Sequence, residues 1–98
     1  MKPLISVIIP AYNAQKYIRQ AVESVIQQTT DADIEVLVID DGSTDSTKEI
    51  VFEIQEECRS RKMDHREICY CPNEKNMGVA ESRNNGIRKA GGAYIAFL

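Results

Sequence analysis

Histidine is nearly absent from this chain: His65 is the single copy in 98 residues. Cysteine is scarce as well, and Cys58, Cys69 and Cys71 form an odd set with no C-x-x-C pair. Zinc asks for four ligands as a rule, so a metal–cysteine site is discounted. Reduced, partly buried thiols are expected instead. No Ser-His-Asp or Cys-His set can be assembled, and His65, in a charged loop, is given no functional role. No G-x-G-x-x-G follows the first apolar run, which argues against a classical dinucleotide site. No G-x-x-x-x-G-K-[ST] occurs either, so a typical phosphate loop is excluded. No apolar run approaches the roughly 20 residues of a membrane helix. Basic residues are not in excess: the net charge is -3, and no nucleic-acid partner is expected. The start, Met1-Lys2-Pro3, leads directly into an apolar run with no signal-peptide hydrophobic region. That favours the cytoplasm, or the periphery of the inner face of the membrane.

What is present is an ordinary soluble composition, 43% hydrophobic and 28% charged. The length allows one small domain. Residues 4–9 (Leu-Ile-Ser-Val-Ile-Ile) form a nearly continuous β-rich run of the kind buried on both faces of a sheet. Pro10 is expected to stop it. Tyr17, Ile18, Ala21, Val22, Val25 and Ile26 recur at three- and four-residue spacing and predict an apolar helix stripe. Residues 34–39 predict a second strand. Ser46 with Glu49 fits a capping box for the next helix, though Ser43 or Asp45 could cap instead. Ile50, Val51, Ile54 and Cys58 form its stripe. Residues 67–71 predict a weaker third strand, on which Cys69 and Cys71 share a face. Val79, Ala80, Ile87 and Ala90 mark a third helix, weakened by about 1 kcal/mol at Gly86 and ended by Gly91 and Gly92. Residues 94–98 read as a buried fourth strand. Strand–helix alternation of this kind means parallel strands joined by right-handed crossovers in an α/β fold.

In an open parallel sheet, ligands bind beyond the carboxyl ends of the strands. Three segments fall there: Pro10-Ala11-Tyr12-Asn13, Asp40-Asp41-Gly42-Ser43, and residues 73–78. Each follows a strand and leads into a helix. Adjacent carboxylates such as Asp40 and Asp41 repel unless something offsets them. Neighbours in extended backbone point oppositely, so one could face a ligand while the other braces the loop. An ionised carboxylate only accepts hydrogen bonds and suits a base N–H or a ribose hydroxyl. The plainer alternative is an aspartate pair that caps a helix and stabilises its loop. Tyr12 offers a flat face for stacking on a base, or is an ordinary half-buried tyrosine. Arg83 could pair with a diphosphate through its planar fork, or lie on a solvated helix face, as Arg88 and Lys89 are expected to. Asn84 and Asn85 are poor mid-helix residues, which points to side-chain hydrogen bonding.

These blocks resemble family 2 glycosyltransferases, inverting sugar transferases of the GT-A fold. The matching segments are Ser6-Val7-Ile8-Ile9-Pro10-Ala11-Tyr12-Asn13, Val38-Ile39-Asp40-Asp41-Gly42-Ser43-Thr44-Asp45, Asn76-Met77-Gly78-Val79-Ala80, Ser82-Arg83-Asn84-Asn85-Gly86-Ile87 and Gly92-Ala93-Tyr94-Ile95-Ala96-Phe97-Leu98. The resemblance implies a three-layer, Rossmann-like GT-A half-domain with sheet order 3-2-1-4. It implies a nucleotide-diphospho-sugar donor, most often a UDP-sugar, and an acceptor hydroxyl that the motifs do not specify. By position, Pro10, Ala11 and Tyr12 would line the nucleoside pocket, with Asn13 beside them. Asp41 would contact the base with Asp40 adjacent, Gly78 would leave room for the nucleoside, and Arg83 would lie towards the base or diphosphate. The family holds Mg²⁺ or Mn²⁺ through an Asp-x-Asp-like motif after the fourth strand, and a later carboxylate acts as general base. Residues 1–98 are therefore expected to be the incomplete N-terminal part of such a domain. No catalytic residue or metal ligand is expected within it, and self-association through an exposed fourth-strand edge is. Ser82 stands where alanine is usual.

Two other classes compete. A receiver-type phosphoacceptor module also uses parallel strands and an aspartate pair, but wants the pair after its first strand. A non-catalytic interaction domain would keep the fold without nucleotide binding.

Overall fold

Alternation along the strands decides the layers. On the central strand, Val7, Ile9 and Ala11 belong to one core cluster with Ile18, Val22, Val51 and Ile54. Ile8, between them, belongs to a second cluster with Leu37 and Ile39. A period of two sends successive side chains to opposite faces, so both faces must be covered. The computed structural model describes residues 4–98; the reading of Met1-Lys2-Pro3 as a start without a signal region lies outside the described residues.

The order is β1 (Leu4–Ala11), α1 (Ile18–Ile26), β2 (Asp33–Asp40), α2 (Thr47–Ser60), β3 (Arg66–Pro72), α3 (Val79–Lys89) and β4 (Tyr94–Phe97). The four strands form one sheet in the order β3-β2-β1-β4, and every pairing is parallel. This is the expected topology. Helices α1 and α2 cover one face and α3 the other. Among the described residues, no helix is long and apolar enough to cross a membrane. At nine residues α1 would be marginal alone. Burial of Ile18, Val22, Val25 and Ile26, on the order of 1.5–3 kcal/mol each, holds it.

Several sequence expectations need correction. Pro10 does not stop β1, which runs on through Ala11 opposite Asp40. The β4 pairing ends at Ile8 opposite Phe97, so Pro10 lies where β1 has one neighbour only. A missing N–H is tolerated at such an edge-like position. The Ser46–Glu49 capping box does not form; Ser46 makes no side-chain cap, and Asp45 Oδ1 accepts the Thr47 N–H at 3.0 Å. Tyr17 is exposed rather than part of the α1 stripe. Helix α3 does not turn Val79, Ala80 and Ile87 inward: all three are exposed, and its buried residues are Ser82 and Gly86. The helix lies so close to the sheet that a Cβ on Gly86 would sit 2.5 Å from Ile8 Cγ2. Only small residues fit at this i, i+4 spacing. Finally, β4 is not buried. It pairs with β1 alone, and Tyr94, Ile95, Phe97 and Leu98 are exposed.

A latch fixes the start of β4. Buried Ser6 donates through Oγ to Glu35 Oε2 at 2.5 Å. The Gly91 N–H donates to the same Glu35 oxygen at 2.7 Å, and the Gly92 N–H to Ser6 Oγ at 2.9 Å.

Candidate nucleoside site

Parallel pairing of β1 with β2 brings Ala11 and Asp40 level at the carboxyl end of the sheet. The three loops that leave this end interlock. The Asp41 N–H donates to the Ala11 carbonyl at 2.8 Å. Asn13 has φ 48°, a left-handed conformation that asparagine accepts better than most residues. Its N–H donates to Ser43 Oγ at 2.8 Å, and its Oδ1 accepts the Thr44 N–H at 2.8 Å. The Ala14 N–H donates to Thr47 Oγ1 at 2.9 Å, and the Gln15 N–H to Asp45 Oδ2 at 3.1 Å. Burial pushes the Asp45 carboxyl up, but hydrogen bonds from the Thr47 hydroxyl and N–H and from the Gln15 N–H outweigh it and hold it below its ordinary value.

The aspartate pair splits to opposite sides, as extended backbone requires, yet both members brace loops. Asp40 is 2% exposed. Its Oδ1 accepts the Ser43 N–H at 2.9 Å and its Oδ2 the Tyr70 hydroxyl at 2.6 Å. Burial and the adjacent Asp40 charge raise the Tyr70 phenol well above its usual range. Asp41 is 6% exposed. Its Oδ1 accepts from the Met77 N–H at 2.6 Å and from Asn73 Nδ2 at 2.9 Å, and its Oδ2 accepts the Gly78 N–H at 2.8 Å. Burial pushes the Asp41 carboxyl up, but donors from Met77, Asn73, Gly78 and Ser82 prevail and hold it below its ordinary value. Sitting at the start of α3, this carboxylate also meets the positive end of the helix. These donors are what offsets two adjacent negative charges.

Gly78 has φ 89° and nothing within 4 Å of where a Cβ would stand. Glycine is required there by the backbone, and the space beside it is open. Pro10, Tyr12 and Asn13, with Ala14, Tyr17 and Leu98, border a cleft of about 310 Å³. Tyr12 is 56% exposed at its rim. Arg83 is exposed on α3 and is not among the donors to Asp41. The structure thus joins Ala11, Asn13, Asp40, Asp41 and Gly78 in one hydrogen-bonded network, places Pro10 and Tyr12 on the cleft that Asn13 also borders, and leaves Arg83 exposed on α3.

Sequence reasoning missed Asn73, Ser82 and Tyr70 as parts of this cluster. Asn85 was signalled by its poor helix propensity, and its Nδ2 donates to Asn73 Oδ1 at 2.9 Å. Ser82 carried a signal too, as a hydroxyl where alanine is usual.

A parallel sheet covered by helices on both faces, with polar loops converging at its carboxyl end, defines the class of doubly wound α/β proteins, which take ligands at that end. The profile described as glycosyl transferase family 2 matches residues 6–98, and the chain belongs to that family. It is 42% identical over 94 residues to the glycosyltransferase GlyA of Streptococcus pneumoniae, covering 96% of this chain and 12% of that protein. It superposes on TarS 1–349 of S. aureus in complex with UDP-GlcNAc with a TM-score of 0.80 at 34% identity, covering 100% of this chain and 26% of that one. The mannosyltransferase PcManGT of Pyrobaculum calidifontis, in complex with GDP-Man and Mn²⁺, gives 0.79 at 25% identity, covering 97% and 26%. The fold is that of the GT-A glycosyltransferases. The chain spans 12% of the length of GlyA and 35% of that of the putative teichuronic acid biosynthesis glycosyltransferase TuaG of Bacillus subtilis, to which it is 41% identical over 98 residues. Family membership, with the aspartate pair after β2, removes the receiver-type reading.

Among the described residues, the aspartate pair offers no place for a divalent cation. Both carboxylates of the pair are filled by N–H and O–H donors. Among the described residues, no group of three or more His, Cys, Asp or Glu is gathered to hold one.

Proposed function

We propose that this chain is the nucleoside-binding part of a cytoplasmic glycosyltransferase. The parent moves a sugar from a nucleotide-diphospho-sugar, of the UDP class, to an acceptor hydroxyl with inversion. The observation that carries this reading is the interlock of three loops around buried Asp41 at the carboxyl end of the sheet. A rigid polar floor of that kind suits a flat, hydrogen-bonding base better than a flexible chain. Family membership and the UDP-GlcNAc complex of a similar structure support the donor class.

In this reading Pro10, Ala11 and Tyr12 line the nucleoside, with Tyr12 stacking on the base and Asn13 holding the loop. Asp41, with Asp40 beside it, presents the acceptor for the base N–H. That contact exchanges one of Asp41's present donors for the base. Gly78 leaves room for the nucleoside, and Arg83 swings its guanidinium towards the diphosphate. Mg²⁺ or Mn²⁺ and the general base are supplied by residues outside this chain, so the isolated chain binds nucleotide without transferring sugar.

The test is a titration of the chain with UDP, CDP and GDP, followed by amide chemical shifts. UDP is expected to move the amides of Tyr12, Asp41 and Gly78, and Asp41→Ala to weaken binding about tenfold or more, the loss of a charge-assisted bond. A chain that binds none of the three would be an interaction domain that keeps the fold alone.

A further inference from the structure

The structure assigns Asn73 and Ser82 as positioning residues of the nucleoside site, holding Asp41 in one rotamer and, through it, the Met77–Gly78 backbone. This inference rests on the nucleoside reading given above. Asn73 follows directly on β3, and its N–H donates to the Asp40 carbonyl at 2.8 Å. That anchors its backbone to the strand end that carries the aspartate pair. Its side-chain amide then reaches three groups. Nδ2 donates to Asp41 Oδ1 at 2.9 Å and to Ser82 Oγ at 3.0 Å, while Oδ1 accepts from Asn85 Nδ2 at 2.9 Å. Both amide protons are used, and the orientation is unambiguous: turned over, Oδ1 would meet the Asp41 carboxylate.

Ser82 closes the arrangement from below. It is fully buried on the sheet side of α3. Its hydroxyl accepts from Asn73 Nδ2 at 3.0 Å and so fixes the amide that donates to Asp41. Asn73, Met77 and Gly78 donate to Asp41, and Asn73 is itself held by Ser82 and Asn85. Alanine, the usual residue at position 82 in the resemblance drawn from the sequence, supplies no such acceptor. In this chain the extra hydroxyl adds a fixed, fully buried contact for the Asn73 amide that faces Asp41. Asn73 and Ser82 touch no solvent-facing part of the cleft. Their effect on a ligand passes through Asp41.

The experiment compares the wild-type chain with Ser82→Ala, Asn73→Ala and a core control, Ile54→Val. The readouts are amide shifts and hydrogen exchange of Met77 and Gly78, and UDP titration. Ser82→Ala keeps the volume nearly unchanged and should fold. It is expected to shift both amides and to speed their exchange about fivefold, the size of one neutral hydrogen bond. UDP affinity falls in the same order, wild type above Ser82→Ala above Asn73→Ala. The control, which loses packing far from the loop, should move neither amide. Wild-type amide shifts and exchange in Ser82→Ala, or equal changes in Ile54→Val, would overturn the assignment. If even the wild-type chain fails to bind UDP, the amide readout still decides this inference, and the nucleoside reading alone falls. Should Asn73→Ala not fold, Ser82→Ala decides by itself.

Discussion

Replacing Asp41 by alanine tests whether one buried carboxylate organises the site. The change removes the acceptor of three hydrogen bonds, from Met77 N–H, Asn73 Nδ2 and Gly78 N–H. Bonds to a charged partner contribute about 1.5–3 kcal/mol each, but such values do not simply add. Gly78 is exposed and Met77 half-buried, so their amides regain water when the loop opens. Asn73 keeps Ser82 and Asn85 as partners. Loss of repulsion with Asp40 returns a little. The expected cost is about 2–4 kcal/mol, a large share of the ~5–15 kcal/mol typical of a folded domain. The pH dependence supplies a second check. The folded-state pKa of Asp41 is held below its ordinary 3.8. The stabilisation is therefore fully present above the unfolded-state value and is lost as pH falls through the folded-state one. The gap between wild type and Asp41→Ala should stay constant from neutral pH to about 5 and close below about 4. Urea unfolding followed by far-UV circular dichroism at several pH values measures this. A gap under about 1 kcal/mol at neutral pH, less than a single charged bond, would refute the reasoning. So would a gap that persists unchanged in strong acid.

Arg66 spends all five of its N–H donors on backbone carbonyls, those of Ile26, Gln28, Thr30, Ala32 and His65. Lysine has only three donors on a point charge, so Arg66→Lys should lose about 1–3 kcal/mol in urea unfolding; a loss within error would show that the α1–β2 loop holds itself. Burial, then the nearby Glu67 charge, pushes the Cys69 thiol up to about 12, and burial raises Cys58 and Cys71 as well. Thiols with raised folded-state values stabilise the fold below their unfolded-state value and lose that contribution as pH climbs towards the folded one. Stability should therefore decline above about pH 9, and all three thiols should resist alkylation at neutral pH; rapid labelling of Cys69 in the folded chain would contradict this. The β4 edge exposes Tyr94, Ile95 and Phe97 beside unpaired backbone groups. Sedimentation should show concentration-dependent association that Ile95→Lys reduces, and a strictly monomeric wild-type chain would remove the edge argument. Assays with nucleotide-sugar donors, with or without Mn²⁺, should show no turnover by the chain alone; turnover would place the missing chemistry inside it.

Strand and helix order, parallel pairing and the three converging loops were all legible from the residues. They rest on local hydrophobic period, and four runs alternating with helix stripes leave few topologies. The aspartate pair was legible as a site for the same reason: it ends an apolar strand. What no local pattern contained was which group each carboxylate faces. For Asp41 that depends on Asn73, Met77 and Gly78, which lie 32 or more residues away and arrive only when β3 and α3 close on the sheet. The inward face of α3 was hidden likewise, because closeness to Ile8 selected Ser82 and Gly86 over the larger apolar residues. Exposure of β4 is also a tertiary matter, since an apolar run reads the same whether one neighbour strand pairs with it or two. Sequence by itself determined the elements and their sequence of layers, through short-range period and turn chemistry. Tertiary structure decided the long-range partners of the buried Asp40 and Asp41, because hydrogen bonds across the fold are set by the distances that packing leaves.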